Sequence, residues 1–599
     1  MKKKLLARAL RYLVFVNVIV TFLCASAAQA ASYRPGSKAG EHFGTSKLSN
    51  STVKAPVKVT GKVTDEKGLP LIGVNITERG ARNNAVSDNK GTYTITVSSE
   101  NAVLVFSYIG FSTKNEPVRG RNVVDVVLQI KDSALNEVVV TALGIKKESK
   151  KLGYATTSVN IDEIAQNRTT NVMTSLEGKV AGLDIAPPTA GAGASNRIRL
   201  RGQSGFNGQT NSPLIVVDGL PMDQGTRSAE GGGGTNGALG ATDQGDNLSQ
   251  INQDDIESIT VLKGATAAAL YGSRAASGAI IITTKSGAKN SKFGIEFTSS
   301  YAAQQALDFT NYQTVYGTGI GGLRPTTQAE AQSMGNLSWG AKYDGVPTVQ
   351  YDGVLRPYAP DKNRITEFYN TGTSLTNTIA LSGGNSSTSF RASFSNQDVN
   401  GISPGNTYHR KIFNIGLNSK ITPKLTFQTN INYTHENNNN PPLVGAQGVG
   451  FSSFLNRTPL TLAIQTLKDH AVGPDGSIYA TNPFGALLTN PYYLIGRMFN
   501  YTTRDRFLST ILARYDFTKW LYLQGRVNAD LGYNFNEYNF PHGITTLRNS
   551  NNTGWAGNYN VNTGFNRSLN EDFLLGANHK IGDFSIDGSV GGNIFTVDN

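Results

Sequence analysis

The second half of the chain alternates apolar and polar positions over many short segments. In each segment the apolar residues keep one parity, and the residues between them are mostly Asn, Ser, Thr, Arg and Gly. These segments are Leu375–Leu381, Phe390–Phe394, Phe413–Leu417, Leu425–Tyr433, Ile511–Phe517, Leu521–Leu531, Phe573–Ala577 and Phe584–Val590. A period of two predicts β-strands with two unlike faces. Short turns between several of them, such as Gly383–Asn385, predict antiparallel hairpins.

Two kinds of protein are compatible with such alternation. Strands with an apolar outer face and a polar inner face suit a closed membrane barrel, which leaves no backbone group unpaired in lipid. A secreted β-sandwich or adhesin alternates as well. Long polar stretches between the hairpins, such as Gly317–Ala359 and Glu436–Gly450, favour the barrel with external loops.

A different pattern occupies residues 151–287. Asn252–Gly287 reads as a strand (Ile256–Leu262), a short helix (Ala265–Leu270) and a second strand (Ala279–Thr284), with Gly264, Gly272 and Gly278 at the turns. Earlier in this stretch, Asn171–Lys179 predicts a helix and Arg197–Gly202 a strand with one basic face. Ser212–Pro221 predicts a buried strand that ends in an Asp218–Gly219 turn.

Residues 56–130 predict a small antiparallel sandwich. Its candidate strands are Val57–Val63, Val74–Glu78, Thr92–Val97, Val103–Tyr108 and Val123–Leu128. Asp65 and Asp88 each precede a Gly by three residues, so we interpret them as turn residues and not as metal ligands.

The N-terminus predicts an export signal over residues 1–30. Basic residues precede an apolar stretch, Leu13–Leu23, that is too short to span a bilayer, and Ala28–Ala30 fits a cleavage site. Residues 31–55 predict a flexible leader. The only cysteine, Cys24, lies in the signal, which excludes disulfides, a thiol nucleophile and a cysteine-based zinc site from the exported chain.

Composition limits the function further. The net charge of +12 comes without basic clusters interleaved with aromatic residues, so nucleic-acid binding has little support. The six histidines show no H-E-x-x-H spacing, and no G-x-S-x-G segment occurs. We therefore expect no enzyme activity, no cofactor and no metal site.

Several of these segments resemble the SusC/RagA type of TonB-dependent outer-membrane transporter. Residues 151–287 resemble its plug domain through Arg199, Arg201, Gly202, Asp218, Gly219, Lys263, Gly264, Tyr271, Gly272, Arg274 and Gly278. Residues 56–130 resemble the carboxypeptidase-regulatory-like domain that precedes many such plugs. The fold implied is mainly β: this sandwich, an α+β plug and, over residues 288–599, antiparallel barrel strands.

Residues 135–150 resemble the TonB-box region of that family. The candidate TonB box is Glu137, Val138, Val139, Val140 and Thr141. A short β-branched segment between polar runs can add as a strand to the edge of another protein's sheet. An ordinary edge strand of the preceding sandwich is the alternative.

The basic residues of the plug candidate also have two interpretations. Arg197, Arg199, Arg201, Lys263 and Arg274 could bind an anionic substrate, or they could pair with acids inside the barrel wall, which we favour. The residues after Gly287 suffice for about half of a barrel of about 22 strands. We therefore expect this chain to be an N-terminal portion of a longer transporter or a truncated product.

The resemblance implies TonB-dependent import of a glycan fragment or peptide across the outer membrane of a Gram-negative bacterium, in the manner of the Bacteroidota. Its implied partners are TonB, driven by the inner-membrane proton gradient, a SusD-like surface lipoprotein, the substrate and membrane lipid. The alternative is a receptor that signals ligand to a periplasmic regulator.

Overall fold

The computed structural model describes most of the chain after residue 56. The described residues are 57–66, 68–79, 81, 83–108, 111, 113–129, 138–140, 146–148, 156–159, 161, 164, 168–186, 191–202, 212–222, 241–243, 245–264, 267–268, 271–444, 450–476, 478–479, 489–541, 557–582 and 584–598. They divide into two compact units between Leu135 and Asn136, and each unit is described by itself. No helix among these residues is long and apolar enough to cross a membrane.

The first unit is a sandwich of two small sheets. Its strands are β1 (Val57–Thr64), β2 (Asn75–Glu78), β3 (Asn84–Val86), β4 (Thr92–Val97), β5 (Val103–Ser107), β6 (Lys114–Pro117) and β7 (Val126–Val127). One sheet has the order β4-β1-β7 and the other β3-β2-β5-β6. The five predicted strands are confirmed, but β7 pairs with β1 in parallel, so the sandwich is not wholly antiparallel.

Alternate residues of these strands contribute their side chains to the core of the sandwich. Val59, Ile76, Leu104 and Phe106 are fully buried, while their strand neighbours face outward. Asp88 accepts hydrogen bonds from the backbone N–H of Lys90 and Thr92 at 2.9 and 2.8 Å. Asp88 is therefore a turn residue, as predicted.

The second unit begins with a two-stranded hairpin. Strand β8 (Val138–Val140) pairs antiparallel with β9 (Lys146–Glu148), with Val139 opposite Lys147. Three residues of the candidate TonB box are thus paired within their own chain, while Glu137 and Thr141 lie outside the described residues.

The inner domain, our name for the described residues between 156 and 287, is built on a mixed sheet. Its strands are β10 (Thr156–Val159), β11 (Leu183–Ala186), β12 (Arg197–Leu200), β13 (Leu214–Val217), β14 (Leu220–Met222), β15 (Ala241–Thr242), β16 (Ile256–Leu262) and β17 (Ala279–Thr284). Five of them form the sheet β10-β16-β17-β13-β14, and β11 and β12 form a separate hairpin. The segment predicted as a helix at Asn171–Lys179 is a shorter 3-10 helix, Val172–Leu176; two others cover Gln253–Asp255 and Ser273–Ala275.

The inner domain has its own apolar core. Ile215, Ile259, Val261, Ile280 and Ile282 are fully buried in one cluster on the sheet. β13, β16 and β17 are buried on both faces, which explains their nearly continuous runs of Ile, Val and Leu. Of the predicted helix Ala265–Leu270, Ala267 and Ala268 are helical and the other four residues lie outside the described part.

The rest of the unit is dominated by a nine-stranded antiparallel sheet, which we call the wall. From residue 294 onward the strands are β18 (Gly294–Gln304), β19 (Pro347–Val349), β20 (Leu355–Pro357), β21 (Gly372–Gly384), β22 (Thr388–Asn400), β23 (Thr407–Lys420), β24 (Leu425–Asn439), β25 (Leu443–Val444), β26 (Asn500–Asp516), β27 (Leu521–Phe540), β28 (Asn558–Ile581) and β29 (Phe584–Asp598). Without β19, β20 and β25, they follow one another as the meander β18-β21-β22-β23-β24-β26-β27-β28-β29. Every alternating segment predicted from the sequence lies on one of these strands.

The two faces of the wall differ in polarity. On β22, Arg391, Ser393, Ser395 and Gln397 point inward and are at most 7% exposed, whereas Phe394 points outward and is 43% exposed. The exposed outer residues of other strands are also apolar, among them Ile379, Phe413, Leu523, Phe573 and Ile586. This arrangement of polar interior and apolar exterior is the one that a lipid-facing barrel requires.

The two ends of the wall differ as well. Turns of a few residues join β21 to β22, β23 to β24, β26 to β27 and β28 to β29 at one end. At the other end, residues 305–371 and 440–499 form long connections. Gly317–Ala359 lies in the first, as predicted, but Glu436–Asn439 belongs to β24 and not to a loop.

The two long connections share a hydrophobic core. They carry the helices α1 (Gln328–Ser333), α2 (Arg364–Phe368), α3 (Phe451–Arg457), α4 (Ile464–Asp469) and α5 (Pro491–Arg497). Phe368 packs with Phe454, Leu467 and Leu494 in one buried cluster. Arg364 is buried beside them and donates to the carbonyl oxygens of Thr458 and Pro459 at 2.8 and 2.9 Å. The polar composition of these connections did not predict this core.

Candidate functional site

The inner domain contacts the polar inner face of the wall, and a buried carboxylate forms the first contact. Asp255, 3% exposed, accepts from Arg391 Nε at 3.1 Å and from Ser393 Oγ at 2.6 Å, both on β22. Asn414 on β23 donates to the same carboxylate. Arg391 also donates to the Asp254 carbonyl oxygen at 3.3 Å, so the start of β16 is fixed to the wall.

Asp254 and Asp255 correct one interpretation of the sequence. We interpreted this pair as a solvated turn, but both carboxylates are buried and paired. Asp254 accepts from Arg168 Nη2 at 2.7 Å inside the inner domain, whereas Asp255 faces the wall.

A second group of contacts surrounds Glu436 on β24. Its carboxylate accepts from Arg504 Nη2 at 2.5 Å and from the Tyr408 hydroxyl at 2.5 Å, both on the wall. From the inner domain, Gln250 Nε2 donates to it at 2.9 Å. Arg506 adds a third contact by donating to the Asn247 carbonyl oxygen at 3.0 Å.

The inner-domain loop at these contacts is ordered around Asp246. Its carboxylate, 1% exposed, accepts from Asn171 Nδ2 at 2.9 Å and from the backbone N–H of Asn196 and Ser249, also at 2.9 Å. Burial raises the pKa of the Asp246 carboxyl, and the two backbone N–H groups oppose that shift.

The Asp218–Gly219 turn brings a further backbone segment against the wall. Asp218 accepts from the Thr284 N–H at 2.9 Å, which ties the turn to β17. Gly219 has a φ of +88°, and a Cβ there would lie 1.8 Å from Arg526 Nη1 on β27. Glycine is therefore required both by the backbone conformation and by the close approach of the arginine.

The charge pattern at the boundary is the reverse of the one we favoured. We expected basic side chains of the inner domain to pair with acids of the wall. Among the described residues, none of Arg197, Arg199, Arg201, Lys263 and Arg274 forms such an ion pair. Instead, arginines of the wall reach acids and carbonyl oxygens of the inner domain.

The basic positions of the plug motif lie elsewhere. Arg199 is half-buried on β12, Arg201 is exposed with a φ of +62°, and Lys263 is half-buried after β16. Arg274 is exposed, with its guanidinium 4.3 Å from the centre of the Phe595 ring. Their roles remain predictions.

The remaining motif residues are mostly glycines at turns. Gly202, Gly264, Gly272 and Gly278 all have positive φ. A Cβ on Gly278 would lie 2.4 Å from Leu200 Cδ2, so this glycine lets β12 pack against the start of β17. Tyr271 packs against the second apolar cluster of the domain.

The wall arginines are the boundary residues that sequence reasoning missed. Arg391, Arg504, Arg506 and Arg526 all have the parity opposite to the apolar residues of their strands, and this signal was available. In the described part of the chain, no group of three His, Cys, Asp or Glu residues is placed to hold a metal. The boundary contacts themselves, such as those of Asp255 and Gln250, hold one domain against the other by hydrogen bonds and ion pairs.

Comparison with known proteins agrees with this architecture. Residues 148–279 match the TonB-dependent Receptor Plug Domain family, and residues 59–140 match the CarboxypepD_reg-like domain family. The chain is 29% identical over 387 residues to TonB-dependent receptor P39 of Formosa agariphila, covering 64% of this chain and 33% of that protein. It is 28% identical over 393 residues to TonB-dependent receptor SusC of Bacteroides thetaiotaomicron, covering 65% and 35%.

A solved structure shows the same fold. The RagAB peptide importer in its open-open state aligns with a TM-score of 0.58 at 18% identity, over 77% of this chain and 49% of that chain. This chain thus spans about a third of the length of the two curated relatives and about half of the solved chain. With its sandwich, its plug and its polar-faced wall, the chain is similar to the TonB-dependent receptors of the SusC/RagA type.

Proposed function

We propose that this protein takes part in TonB-dependent import of a nutrient across the outer membrane. The observation that carries the proposal is the boundary between the inner domain and the wall. A domain with its own apolar core rests against a polar wall through hydrogen bonds and ion pairs, while the outer face of the wall is apolar. Such a domain can close a barrel and still be displaced as a unit.

The nutrient class and the surface partner follow from the family. RagAB is a peptide importer, and the curated relatives are TonB-dependent receptors. We propose a peptide or a glycan fragment as the substrate and a SusD-like lipoprotein as the partner at the end with the long connections. No step of this function requires catalysis.

TonB would act at the opposite end through Glu137–Thr141. Val138–Val140 already adopts a strand conformation, paired with Lys146–Glu148. Strand addition by TonB would use the backbone of the same segment, and force from the proton gradient would then displace the inner domain.

A pair of proline substitutions tests this role. Val139→Pro removes an N–H from the TonB-box strand, whereas Lys147→Pro alters only the partner strand of the hairpin. We expect V139P and a deletion of 137–141 to abolish nutrient uptake and co-purification with the C-terminal domain of the host's TonB. Substrate binding should persist in both variants, and K147P should remain active.

The control separates two roles of the segment. If V139P and K147P impair uptake equally, the hairpin itself is what matters and TonB pairing is not supported. Uptake that survives the 137–141 deletion would contradict the proposed mechanism.

A further inference from the structure

A cavity of about 840 Å³ lies between the inner domain and the wall, toward the long connections. Asn171 and Gly193 of the inner domain line one side, Gln397 and Arg410 of the wall line another, and Phe451 of α3 lies at the loop end. Its position is the one that a nutrient from the outside would reach before the inner domain moves.

Arg410 is the unusual residue of this cavity. It lies on the inner face of β23 and is 7% exposed, yet its Nε and Nη1 groups have no hydrogen-bond partner among the described residues. Gln397, directly opposite on β22, is 4% exposed, and its Oε1 atom likewise has no donor in that part of the chain.

The acids near Arg410 are engaged by other groups. Glu436 lies opposite Arg410 on β24, but Arg504 lies opposite Glu436 on its other side. Arg504 and Tyr408 occupy the carboxylate at 2.5 Å each, so two guanidinium groups flank one acid.

Asp254, an acid that lines the cavity, is paired as well. Asp254 accepts from Arg168 Nη2 at 2.7 Å. Among the described residues, Arg410 therefore has no ion-pair partner within 4 Å. Its remaining neighbours are the Tyr408 ring, whose centre is 5.9 Å from the guanidinium carbon, and the Glu436 carboxylate that Arg504 already binds. The hydration that this buried cation loses is therefore only partly replaced, which is costly.

We propose that Arg410, assisted by Gln397, recognises a carboxylate group of the imported nutrient. The ligand's carboxylate would accept from the free N–H groups of Arg410 in a charge-assisted hydrogen bond. Gln397 Oε1 would accept from an N–H or O–H group beside that carboxylate. The inference rests on the proposed import function and names its substrate class as acidic, either a peptide with a free carboxylate or a uronic-acid oligosaccharide.

Binding of matched acid and neutral probes tests the proposal. The full-length receptor with its partner lipoprotein is titrated calorimetrically with tetraalanine and its C-terminal amide, and with tetragalacturonate and its methyl ester. We expect one acid to bind about tenfold or more tightly than its neutral counterpart. Tighter binding of tetraalanine would identify a peptide as the source of the carboxylate, and tighter binding of tetragalacturonate would identify a uronic-acid oligosaccharide.

Substitution assigns the preference to Arg410. R410Q should bring the acid and its neutral counterpart to similar affinity, and R410K should keep part of the difference, because lysine retains the charge. R514Q is the matched control: Arg514 is a wall arginine on β26 that already pairs with Asp516 at 2.9 Å and does not line the cavity. It should leave the preference unchanged.

The melting temperature without ligand distinguishes an arginine that binds ligand from one that stabilises the fold. Because Arg410 has no ion-pair partner among the described residues, R410Q should not lower the melting temperature, whereas R504Q should lower it by removing the guanidinium group that pairs with Glu436. Equal losses of melting temperature in R410Q and R504Q would assign Arg410 a structural role and overturn the proposal.

Two further results would overturn it. One is an unchanged acid preference in R410Q; the other is no preference for either acid at millimolar concentration in the unaltered receptor. Deletion of 137–141 tests import separately, so import can stand if carboxylate recognition fails, and carboxylate binding can be observed if import fails.

Discussion

The interior of the inner domain and its boundary with the wall are held together by different chemistry. The interior buries Ile, Val, Leu and Met side chains, among them Ile215, Ile259 and Ile280, which are fully buried. At the boundary, Asp255 and Gln250 meet Arg391 and Glu436. An apolar core gains its stability by excluding water, whereas water can replace each hydrogen bond of the boundary.

This difference bears on how the domain could move. A buried side chain such as Ile280 contributes about 1.5–3 kcal/mol that is lost only when the core opens. A hydrogen bond contributes about 0.5–1.5 kcal/mol net, because water offers an alternative partner. Separation at the boundary should therefore require less force than unfolding of the domain, and the inner domain should leave the wall largely folded.

Two cysteine reporters can distinguish separation from unfolding. In a Cys24→Ser background, Ala194→Cys reports on the boundary, because Ala194 lines the cavity between the inner domain and the wall. Ala275→Cys reports on the interior, because Ala275 belongs to the second apolar cluster of the inner domain. Both alanines are at most 2% exposed. Their reaction with a thiol reagent is followed in increasing urea. In the otherwise unaltered protein, we expect the boundary reporter at position 194 to react at lower urea than the interior reporter at position 275.

The largest effect should come from a charge inside the core. Ile280→Asp places a carboxylate where the structure offers only apolar neighbours, at a cost of about 5 kcal/mol or more. Both cysteine reporters should then react without urea, and nutrient uptake should be lost.

The conservative variant is the control for this position. Ile280→Val should cost about 0.5–1.5 kcal/mol and keep the order in which the reporters react. If Ile280→Asp leaves the interior reporter protected, the core of this domain is not what keeps it folded.

The second largest effect should come from an acid of the boundary. Asp255→Ala removes the buried carboxylate that faces Arg391 and leaves only the exposed Glu296 carboxylate, 3.2 Å from its Nη1, which costs up to about 3–5 kcal/mol. Because the apolar core remains, the boundary reporter should become reactive at much lower urea while the interior reporter changes little.

A double variant tests the reason for that cost. Replacing both partners, in Asp255→Ala with Arg391→Met, removes the buried charge that has lost its buried partner and should restore part of the protection. Equal exposure of both reporters in Asp255→Ala would mean that boundary and interior form one cooperative unit and that the inner domain does not separate from the wall while folded.

The sequence predicted the architecture better than the boundary. Alternation in segments such as Leu521–Leu531 is a local signal, because each strand must present one face to an apolar medium. The strands β3 and β6 were not predicted, since Asn84–Val86 and Lys114–Pro117 are short and largely polar.

The boundary depends on contacts between residues that are far apart in the chain. Asp255 and Arg391 are separated by 136 positions, and nothing beside Asp255 shows that an arginine will meet it. Arg391 itself could have been recognised as inward-facing, because it lies between Phe390 and Ala392 on an alternating strand. Its partner required the tertiary structure.

The smallest effect should come from the hydrogen bond of a single hydroxyl at the boundary. Ser393→Ala removes the 2.6 Å bond to Asp255, but Arg391 Nε and Asn252 Nδ2 still donate to that carboxylate, the latter at 2.9 Å. We expect a loss of about 1.5 kcal/mol, because the acceptor is charged but keeps its other donors, and the loss should be visible at the boundary reporter and not at the interior one.

Ser395 provides the matched control for this substitution. It lies two residues along the same inner face of β22, and its hydroxyl accepts from Thr378 Oγ1 within the wall at 3.0 Å. Ser395→Ala should therefore leave the boundary reporter unchanged. If Ser393→Ala exposes the boundary as strongly as Asp255→Ala does, the hydroxyl and not the ion pair holds the inner domain at this point, since water would then fail to replace the hydrogen bond of one hydroxyl.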